Sequence, residues 1–530
     1  MSDARLKWYG WGREGEQMSP AERDFVLGRY RQKFGDHEFQ TVAVPKLEDL
    51  RLPAPRVVAP ASLSAFCSTQ TYDRAVHAYG KSYPDYVRAM LGQFECAPDV
   101  VAYPRDEAEI SAVMDWAGDF GASLAPFGGG SSVCGGVEHR RDARHKAAVT
   151  IDLRHLGKVL EVDATSRAAL IQGGAFGPAL EQQLKPHALT LRHFPQSFEY
   201  STLGGWIATR SGGHFASLYT HIDDLVESLR VVTPKGALET RRLPGSGAGP
   251  SPDRMFLGSE GVLGVISQAW MRVQPKPVHR AAGSLRFPTF FAAARAVRAI
   301  SQAGLYPSNC RILDPREAYN TGAGDGSAAI MVLAFESGDH LLDAWMKRAL
   351  ECAADHGGVV ETGGADAQRD GAAGLWRNAF IRMPYAREFL TPAGLIVDTF
   401  ETSITWERFE AFHDKVKSAT ERAIQEATGV AGDVTCRFTH VYPDGPAPYF
   451  SFHALGRHGA LLEQWQAIKN AASDALIEAG GTITHHHAVG RDHRPWYDRQ
   501  RPDLFASALR AVKGALDPRG MMNPGVLIDP

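Results

Sequence analysis

The most informative segment of this chain reads Pro126-Phe127-Gly128-Gly129-Gly130-Ser131-Ser132. Three consecutive glycines let the backbone adopt positive φ angles, so successive N–H groups can converge on one anion while two hydroxyls add donors. No Lys-Ser or Lys-Thr follows, as a P-loop requires, and the glycines are not spaced as G-x-G-x-x-G. By itself such a cluster also fits an ordinary turn. We interpret it as a candidate diphosphate cradle, and its context must decide.

The sequence around this loop predicts a mixed α+β protein. The loop follows a predicted strand at Ala122–Phe127, and a predicted helix over Asp106–Gly118 precedes that strand. Short apolar runs bounded by turn residues predict further strands at 148–153, 158–163, 168–172, 229–233, 328–335 and 395–399. Helical periodicity predicts helices from about 176, over 406–426 and through the C-terminal segment. This mixture favours the α+β fold class.

The composition excludes several classes of protein. The formal charge of -3 over 530 residues gives no long-range field, so we expect no nucleic-acid partner. The six cysteines are scattered without a C-x-x-C pair, so a reducing, cytoplasmic location is expected. No signal peptide and no run of about 18 apolar residues is present. Peripheral membrane contact stays open, and a homodimer is the expected assembly.

Three later segments supply the context of the glycine loop: Ser201-Thr202-Leu203-Gly204-Gly205-Trp206, Ile222-Asp223-Asp224-Leu225-Val226 and Gly258-Ser259-Glu260-Gly261-Val262-Leu263-Gly264-Val265-Ile266. Their order and spacing resemble the FAD domain of the vanillyl-alcohol-oxidase superfamily, the PCMH type, over roughly residues 96–278. The resemblance implies FAD as the cofactor. The glycine loop and the second motif would hold its phosphates, and the last motif would run beside the flavin.

The resemblance also implies which residues contact FAD. They are Pro126, Gly128, Gly129, Gly130, Ser131, Ser132, Ser197, Ser201, Thr202, Gly204, Gly205, Thr209, Glu260, Gly261, Gly264, Val265 and Ile266. Some members of the superfamily attach FAD covalently through a histidine in the first loop, and this loop contains none. The segment Arg210–His214 imitates that pattern but follows the second motif. We therefore predict non-covalent FAD, with His214 a polar residue near it.

Segments along the whole chain carry a narrower resemblance: Lys7-Trp8-Tyr9-Gly10-Trp11-Gly12, Phe198-Glu199-Tyr200-Ser201-Thr202, Cys310-Arg311-Ile312-Leu313-Asp314, Phe400-Glu401-Thr402-Ser403, Cys436-Arg437-Phe438-Thr439 and His485-His486-His487-Ala488-Val489-Gly490. They are similar to the alkylglycerone-phosphate synthase (alkyldihydroxyacetonephosphate synthase) family. That family joins a long-chain alcohol to acyl-dihydroxyacetone phosphate and releases the fatty acid through an adduct at flavin N5, without net flavin reduction. The resemblance implies an FAD-dependent transferase of ether lipid synthesis with a small-molecule or lipid substrate.

The same resemblance divides the chain into four segments. Residues 1–95 form a partly helical lead-in, 96–278 the PCMH-type FAD-binding domain, 279–455 an α/β cap domain for the substrate, and 456–530 a helical C-terminal segment. We expect the last segment, which carries the three histidines, to pack back on the FAD domain.

Four site residues follow from positions that match the family's active-site residues: Arg311, Arg387, Tyr449 and His486. Forked guanidinium donors suit a phosphate, although such arginines also serve as salt-bridge residues. Strand alternation places the side chain of Tyr449 opposite those of its apolar neighbours. Because a phenol titrates near pH ~10, a nearby cation would have to assist proton transfer.

The run His485-His486-His487 raises the question of a metal ion. On a strand, His485 and His487 would share one face and His486 the other, so one ion could not easily bind all three. No acidic residue stands beside them at ligand spacing. We predict no metal. The resemblance makes His486 the general acid/base, with His485 and His487 orienting it or the substrate phosphate.

Two other functions stay open. In a D-2-hydroxyacid dehydrogenase or oxidase of the same fold, Arg311 or Arg387 would grip a carboxylate, His486 would remove the hydroxyl proton, and hydride would pass to flavin N5. A flavin-loaded binding protein without turnover predicts that Arg311, Tyr449 and His486 lie apart. Pro195-Gln196-Ser197 replaces an Asp-containing family segment, and 210–215 also departs, so the substrate is implied less firmly than the cofactor.

Overall fold

The computed structural model describes residues 5–35, 39–140, 142–364 and 371–529, with the backbone alone for 362–364 and 371–380. The α-helices are α1 (Pro20–Phe34), α2 (Thr71–Val76), α3 (Tyr83–Met90), α4 (Glu107–Phe120), α5 (Gly177–Leu184), α6 (Leu203–Thr209), α7 (Ala216–Tyr219), α8 (Ile222–Leu225), α9 (Pro252–Phe256), α10 (Phe290–Gln302), α11 (Pro315–Thr321), α12 (Asp343–Ala354), α13 (Gly371–Leu390), α14 (Phe409–Thr428), α15 (Leu461–Glu478), α16 (Arg494–Gln500) and α17 (Asp503–Leu516). No helix within these ranges is both long and apolar enough to cross a membrane.

The strands are β1 (Cys67–Ser68), β2 (Val100–Ala102), β3 (Ala122–Phe127), β4 (Ala147–Asp152), β5 (Val159–Asp163), β6 (Ala168–Gln172), β7 (Leu189–Thr190), β8 (Val226–Thr233), β9 (Gly236–Glu239), β10 (Val265–Arg272), β11 (Gln274–Pro275), β12 (His279–Phe287), β13 (Asn309–Leu313), β14 (Ala329–Ser337), β15 (Val359–Gly364), β16 (Leu395–Glu401), β17 (Asp433–Val441) and β18 (Pro446–Leu455). Short 3-10 helices cover Leu47–Asp49, Ser64–Phe66, Lys185–His187, Phe198–Tyr200 and Trp406–Arg408.

The glycine loop leaves the carboxyl end of a strand in a small, largely parallel sheet. This sheet has the order β1-β2-β4-β3, and β4 pairs in parallel with both β2 and β3. Helix α4 begins after Asp106, whose side chain accepts the N–H of Glu109, and ends at Gly121 with φ 84°. The predicted strand at Ala122–Phe127 and the helix before it are confirmed. The edge strand β1 belongs to residues 1–95, the segment that was predicted to be a separate lead-in, and it pairs with β2.

A second sheet of order β5-β6-β10-β8-β9 is antiparallel throughout. The predicted strand at 229–233 lies within β8, and β8 forms a hairpin with β9 in which Thr233 pairs with Gly236. The apolar side chains of this sheet pack against α5 and α6. Since β10 begins at Val265, this sheet positions the segment that was predicted to run beside the flavin.

The third sheet forms one wall of the candidate site. Its order is β15-β12-β14-β13-β17-β18-β16, and all of its pairs are antiparallel. Helices α10, α12, α14 and α15 cover one face, where the side chains of Ile312, Phe438 and Phe450 are buried. Side chains alternate along a strand, so Arg311 and Tyr449 point to the other face. The predicted orientation of Tyr449 is confirmed.

The C-terminal segment joins the two halves of the molecule. Helix α15 packs against α14 of the third sheet. Residues 526–528 enter the core of the second sheet, and Met522 bridges to Leu124 of β3. In α17, the Lys513 ammonium donates to the carboxylate of Asp517 at 2.6 Å and to the carbonyl oxygen of Val262 at 2.7 Å. This ion pair is fully buried and ties α17 to the segment before β10.

We expect Asp517→Ala to destabilise the protein by about 3–5 kcal/mol, because it leaves the Lys513 ammonium buried without its carboxylate. Asp119→Ala is the control. Asp119 also pairs with an arginine, Arg519, but the pair is exposed and contributes about 0–1 kcal/mol. The measurement is the midpoint of thermal unfolding. Equal midpoints for the two variants would show that the buried pair does not hold α17 in place.

Candidate functional site

A cavity of about 340 Å³ lies between the glycine loop and the third sheet. Its walls come from the glycine loop, residues 194–214, the face of the third sheet against which α13 packs, and residues 486–488. Four elements that are far apart in the sequence therefore meet around one space, which is the arrangement expected of a site built between two domains.

The glycine loop has the geometry of an anion cradle. A Cβ atom at Gly129 would lie 1.7 Å from the carbonyl oxygen of Tyr200, and one at Gly128 would lie 2.1 Å from Oγ1 of Thr202. Gly130 has φ +66°, which favours glycine. Among the described residues, the amide groups of 128–132 have no acceptor. Their N–H groups are thus free to bind a diphosphate, and the residues present fit FAD.

The structure brings nearly all of the predicted FAD contacts to the cavity wall. Of that set, Val265 alone does not line it. The reason is strand alternation in β10: Ile266 faces the cavity, whereas Val265 packs into the core beneath the first sheet. His214 also lines the cavity, as expected for a polar residue near the cofactor.

Glu260 lies at the cavity wall, but its carboxylate and backbone groups are hydrogen-bonded to other protein groups. Its carboxylate accepts the N–H groups of Val489 and Gly490 at 2.8 and 2.7 Å. Its own N–H bonds to Ala208, and its carbonyl oxygen accepts from Asn523. Burial raises the pKa of Glu260 to about 7, against these two amide bonds. Glu260 therefore acts on the site by fixing the residues around it.

Two arginines stand on neighbouring strands of the cavity wall. Arg311 of β13 is 4% exposed, and burial, followed by the charge of Arg437, lowers its pKa to about 9. Arg437 of β17 is bonded to the carboxylate of Glu317, and its Nε has no acceptor among the described residues. Two buried cations close enough to disfavour each other make this wall suited to an anionic ligand.

Tyr449 lies beside these cations. The guanidinium carbon of Arg437 lies 4.0 Å from the centroid of its ring, and its hydroxyl donates to Thr399 at 3.0 Å. Burial raises the pKa of Tyr449, while Arg437 opposes that shift. The rings of His486 and His487 lie 6.0 and 5.4 Å away between centroids. The cation that proton transfer by a phenol would require is therefore present.

Arg387 reaches the cavity from α13, but much of its guanidinium is already bonded. Nη2 donates to the carboxylate of Asp398, and Nη1 donates to the carbonyl oxygen of Lys81 at 2.8 Å. Burial alone would lower the pKa of Arg387, but Asp398 raises it. Arg387 joins the FAD-domain side of the cavity to the third sheet and is less available to a ligand than Arg437.

The three histidines do not form a strand, which was the conformation that the argument against a shared metal ion assumed. Residues 485–487 bend around the buried carboxylate of Glu401, which accepts their backbone N–H groups at 2.7, 3.2 and 3.0 Å. We also expected no acidic residue beside the histidines. That holds for the sequence but not for the folded chain, because Glu401 of β16 lies next to them. His486 and His487 line the cavity, whereas His485 lies behind them and bonds to Tyr442.

The charge of Glu401 is stabilised by this loop. Burial alone would raise the pKa of its carboxyl, but the imidazoles of His486 and His487 hold it well below its ordinary value. The Glu401 carboxylate lies 3.2 Å from Nδ1 of His486. Glu401 is therefore a positioning residue that fixes the backbone of the histidine loop and faces His486 with a negative charge.

The sequence of the chain is similar to two family models and to several known proteins. Residues 98–241 match the family model of the FAD binding domain, and residues 276–527 match that of the C-terminal domain of FAD linked oxidases. The alkyldihydroxyacetonephosphate synthase of Dictyostelium discoideum is 30% identical over 481 residues, which cover 86% of this chain and 77% of that protein. The chain belongs to the alkyldihydroxyacetonephosphate synthase family.

The fold of this family is also present. A solved alkyldihydroxyacetonephosphate synthase structure matches with a TM-score of 0.82 at 26% identity, covering 98% of this chain and 99% of that one. The glycolate oxidase subunit GlcD of Bacillus subtilis is a more distant relative, at 25% identity over 441 residues that cover 82% of this chain and 89% of that protein. The α+β fold with PCMH-type FAD binding is confirmed, and the protein is an FAD-dependent enzyme.

Sequence reasoning missed several residues of the site in this synthase-family chain. Arg437 and Glu401 lie in segments that carried the family resemblance, and strand alternation could have placed Arg437 beside Arg311. His440 also lines the cavity, although strict alternation from Arg437 would place it on the opposite face; the register of β17 shifts between Phe438 and His440. Lys81 lines it as well, and burial lowers the pKa of its ammonium to about 8. No motif marks Lys81, because only the fold brings the lead-in segment to the cavity.

We expect Glu401→Gln to lower kcat by roughly 10–100-fold, because an amide cannot accept the N–H groups of residues 485–487 on both of its atoms; leaving such groups unpaired costs about 1–3 kcal/mol. FAD affinity should remain unchanged, since Glu401 does not line the cavity. The measurement is kcat together with FAD affinity. Glu407→Gln, at an exposed position shortly after β16, is the control. Wild-type kcat in E401Q would mean that the loop does not depend on this carboxylate.

Proposed function

We propose that this protein exchanges the acyl group of acyl-dihydroxyacetone phosphate for a long-chain alcohol, the reaction of ether lipid synthesis. The observation that carries the proposal is the convergence of Arg311, Arg437, Tyr449 and His486 on one cavity that the glycine loop also lines. If the chain were a flavin-binding protein without turnover, Arg311, Tyr449 and His486 would be expected to lie apart. Their position around one cavity instead supports an enzyme. The membership of the synthase family supports the same reaction.

The residues that would hold FAD are those at the glycine loop and at the 201–205 and 260–266 segments. When bound, FAD supplies a ring nitrogen that acts as a nucleophile, and its redox state at the end of the reaction is that at the start. Because the glycine loop contains no histidine, we propose that the attachment is non-covalent.

The proposed exchange balances without an oxidant or a reductant. The bond between C1 of the substrate and the acyl oxygen breaks, and the fatty acid leaves as a carboxylate. A bond between C1 and the alcohol oxygen forms, and the alcohol loses its proton. The protein must therefore hold a phosphate dianion, move protons near C1, and accommodate two alkyl chains.

Each of these tasks has a group at the cavity wall. We assign the substrate phosphate to Arg311 and Arg437, because two buried guanidinium groups offer forked donors and an anion would relieve their mutual repulsion. Tyr449 and His486 are the proton-carrying groups, since their rings are neighbours and Arg437 lies over the phenol.

Apolar side chains that pack together along one stretch of the cavity wall offer a place for an alkyl chain. Trp11, Met383, Ala386, Leu390 and Val397 line the cavity where the lead-in, α13 and β16 meet. This lining would exclude water from the chain and from C1. The expected homodimer and peripheral membrane contact stay predictions.

The test is turnover by the FAD-loaded protein under anaerobic conditions with acyl-dihydroxyacetone phosphate and a long-chain alcohol. We expect equal amounts of the alkyl product and the fatty acid, with FAD still oxidised at the end. Tyr449→Phe should lower turnover by roughly 10²-fold or more while FAD stays bound. Tyr306→Phe, at an exposed tyrosine away from the cavity, is the matched control.

One result would replace this proposal by the D-2-hydroxyacid reaction. It is bleaching of the FAD absorbance by a D-2-hydroxy acid, together with no product from the acyl substrate and alcohol. The more distant relationship to FAD-linked oxidoreductases makes this second reaction the weaker candidate.

A further inference from the structure

Three imidazoles form a compact triangle at the edge of the cavity. The ring centroids of His440, His485 and His486 lie 5.1, 5.4 and 5.3 Å apart. One ring nitrogen of each lies within 4.8 Å of the other two. The expectation of no metal rested on a strand that would have separated the histidines. The bend around Glu401 removes that objection and adds His440 from β17.

Each ring is also oriented by a partner. The Nε2–H of His440 donates to the carbonyl oxygen of Gly213 at 2.9 Å, and its Nδ1 lies 3.2 Å from the hydroxyl oxygen of Thr439. Nε2 of His485 bonds to the hydroxyl of Tyr442 at 2.8 Å. The backbone N–H of His486 is bonded to Glu401, and its Nδ1 lies 3.2 Å from the Glu401 carboxylate and 3.1 Å from Nδ1 of His485. Metal-binding histidines in proteins are oriented in this manner by carbonyl, hydroxyl or carboxylate groups.

The spacing suits a tetrahedral ion. Zinc–nitrogen bonds of about 2.0–2.1 Å place two ligand nitrogens roughly 3.3 Å apart in a tetrahedron. The Nδ1 atoms of His485 and His486 lie 3.1 Å apart, close to that value. Three protein nitrogens leave a fourth position open, and His440 and His486 both line the cavity.

The electrical surroundings are compatible with a cation. Burial, followed by the neighbouring imidazoles, lowers the pKa of His440 well below its ordinary value, and burial lowers that of His485 to about 3. These lowered pKa values favour the neutral form of both rings, which is the form of imidazole that binds a metal ion. Arg311 repels positive charge here, and the ionised Glu401 next to His486 offsets it.

We propose that His440, His485 and His486 bind a divalent transition-metal ion, best matched by Zn²⁺, with its open coordination position toward the cavity. Imidazole ligands suit zinc, copper and nickel, whereas they do not suit calcium or magnesium. A consequence for turnover rests on the proposed function. A metal ion takes the lone pair of one ring nitrogen of His486, so in the loaded enzyme that nitrogen cannot accept a proton.

The direct test measures metal binding and does not depend on turnover. Untagged, FAD-loaded protein is freed of metal by a chelator and titrated calorimetrically with ZnCl₂. We expect one Zn²⁺ ion per chain, and His440→Gln and His485→Gln should each weaken binding by at least roughly 10–100-fold. His340→Gln is the control, because His340 is exposed and lies outside the triangle. An unaltered FAD spectrum in each variant shows that the site remains folded.

No binding of Zn²⁺ by the wild-type protein, or equal affinity in the wild type and H440Q, would overturn the proposal. A second measurement compares turnover with and without Zn²⁺ for each variant. The wild type should be inhibited, and H440Q should show the same rate in both conditions. Triangle-dependent binding without inhibition would support the metal site and remove His486 from the proton-carrying role. A metal-free wild type that never forms the alkyl product would contradict the proposed function alone, since the calorimetry stands apart from it.

Discussion

The close contact between two backbone segments, the glycine loop and residues 200–202, is the constraint on which the site depends. Any side chain at Gly129 would overlap the carbonyl oxygen of Tyr200, where a Cβ would lie 1.7 Å away. The loop lines the cavity, and no described protein group accepts the amide N–H groups of 128–132. The loop is thus suited to bind an anion through these N–H groups.

The opposite wall uses a different device, the alternation of side chains in an antiparallel sheet. One face of the third sheet is apolar and covered by helices, and the other carries Arg311, Arg437 and Tyr449. The cost of burying these cations is offset by carboxylates such as Glu317 and would be offset further by an anionic substrate. Burial of these cations costs free energy of folding, and the same buried cations make this wall suited to bind a phosphate.

Local patterns in the sequence predicted much of this arrangement. Strand periodicity and the glycine run placed the loop after β3, and alternation in β18 gave Tyr449 its face. The shape of the histidine run could not be predicted, because the carboxylate that bends it lies 84 residues away in sequence, at Glu401. Lys81 reaches the cavity only because its N–H bonds to the carbonyl oxygen of Ser132, a contact without a sequence motif.

The most direct measurement of the central claim is an FAD titration of apoprotein prepared from the wild type and from Gly129→Ala. The wild type is expected to bind FAD, and the variant to lose binding, because the added Cβ would force the loop away from Tyr200. Gly28→Ala, in α1 with open space around it, should bind as the wild type does. A wild-type protein that stays colourless with added FAD, or a G129A protein with undiminished affinity, would contradict the account.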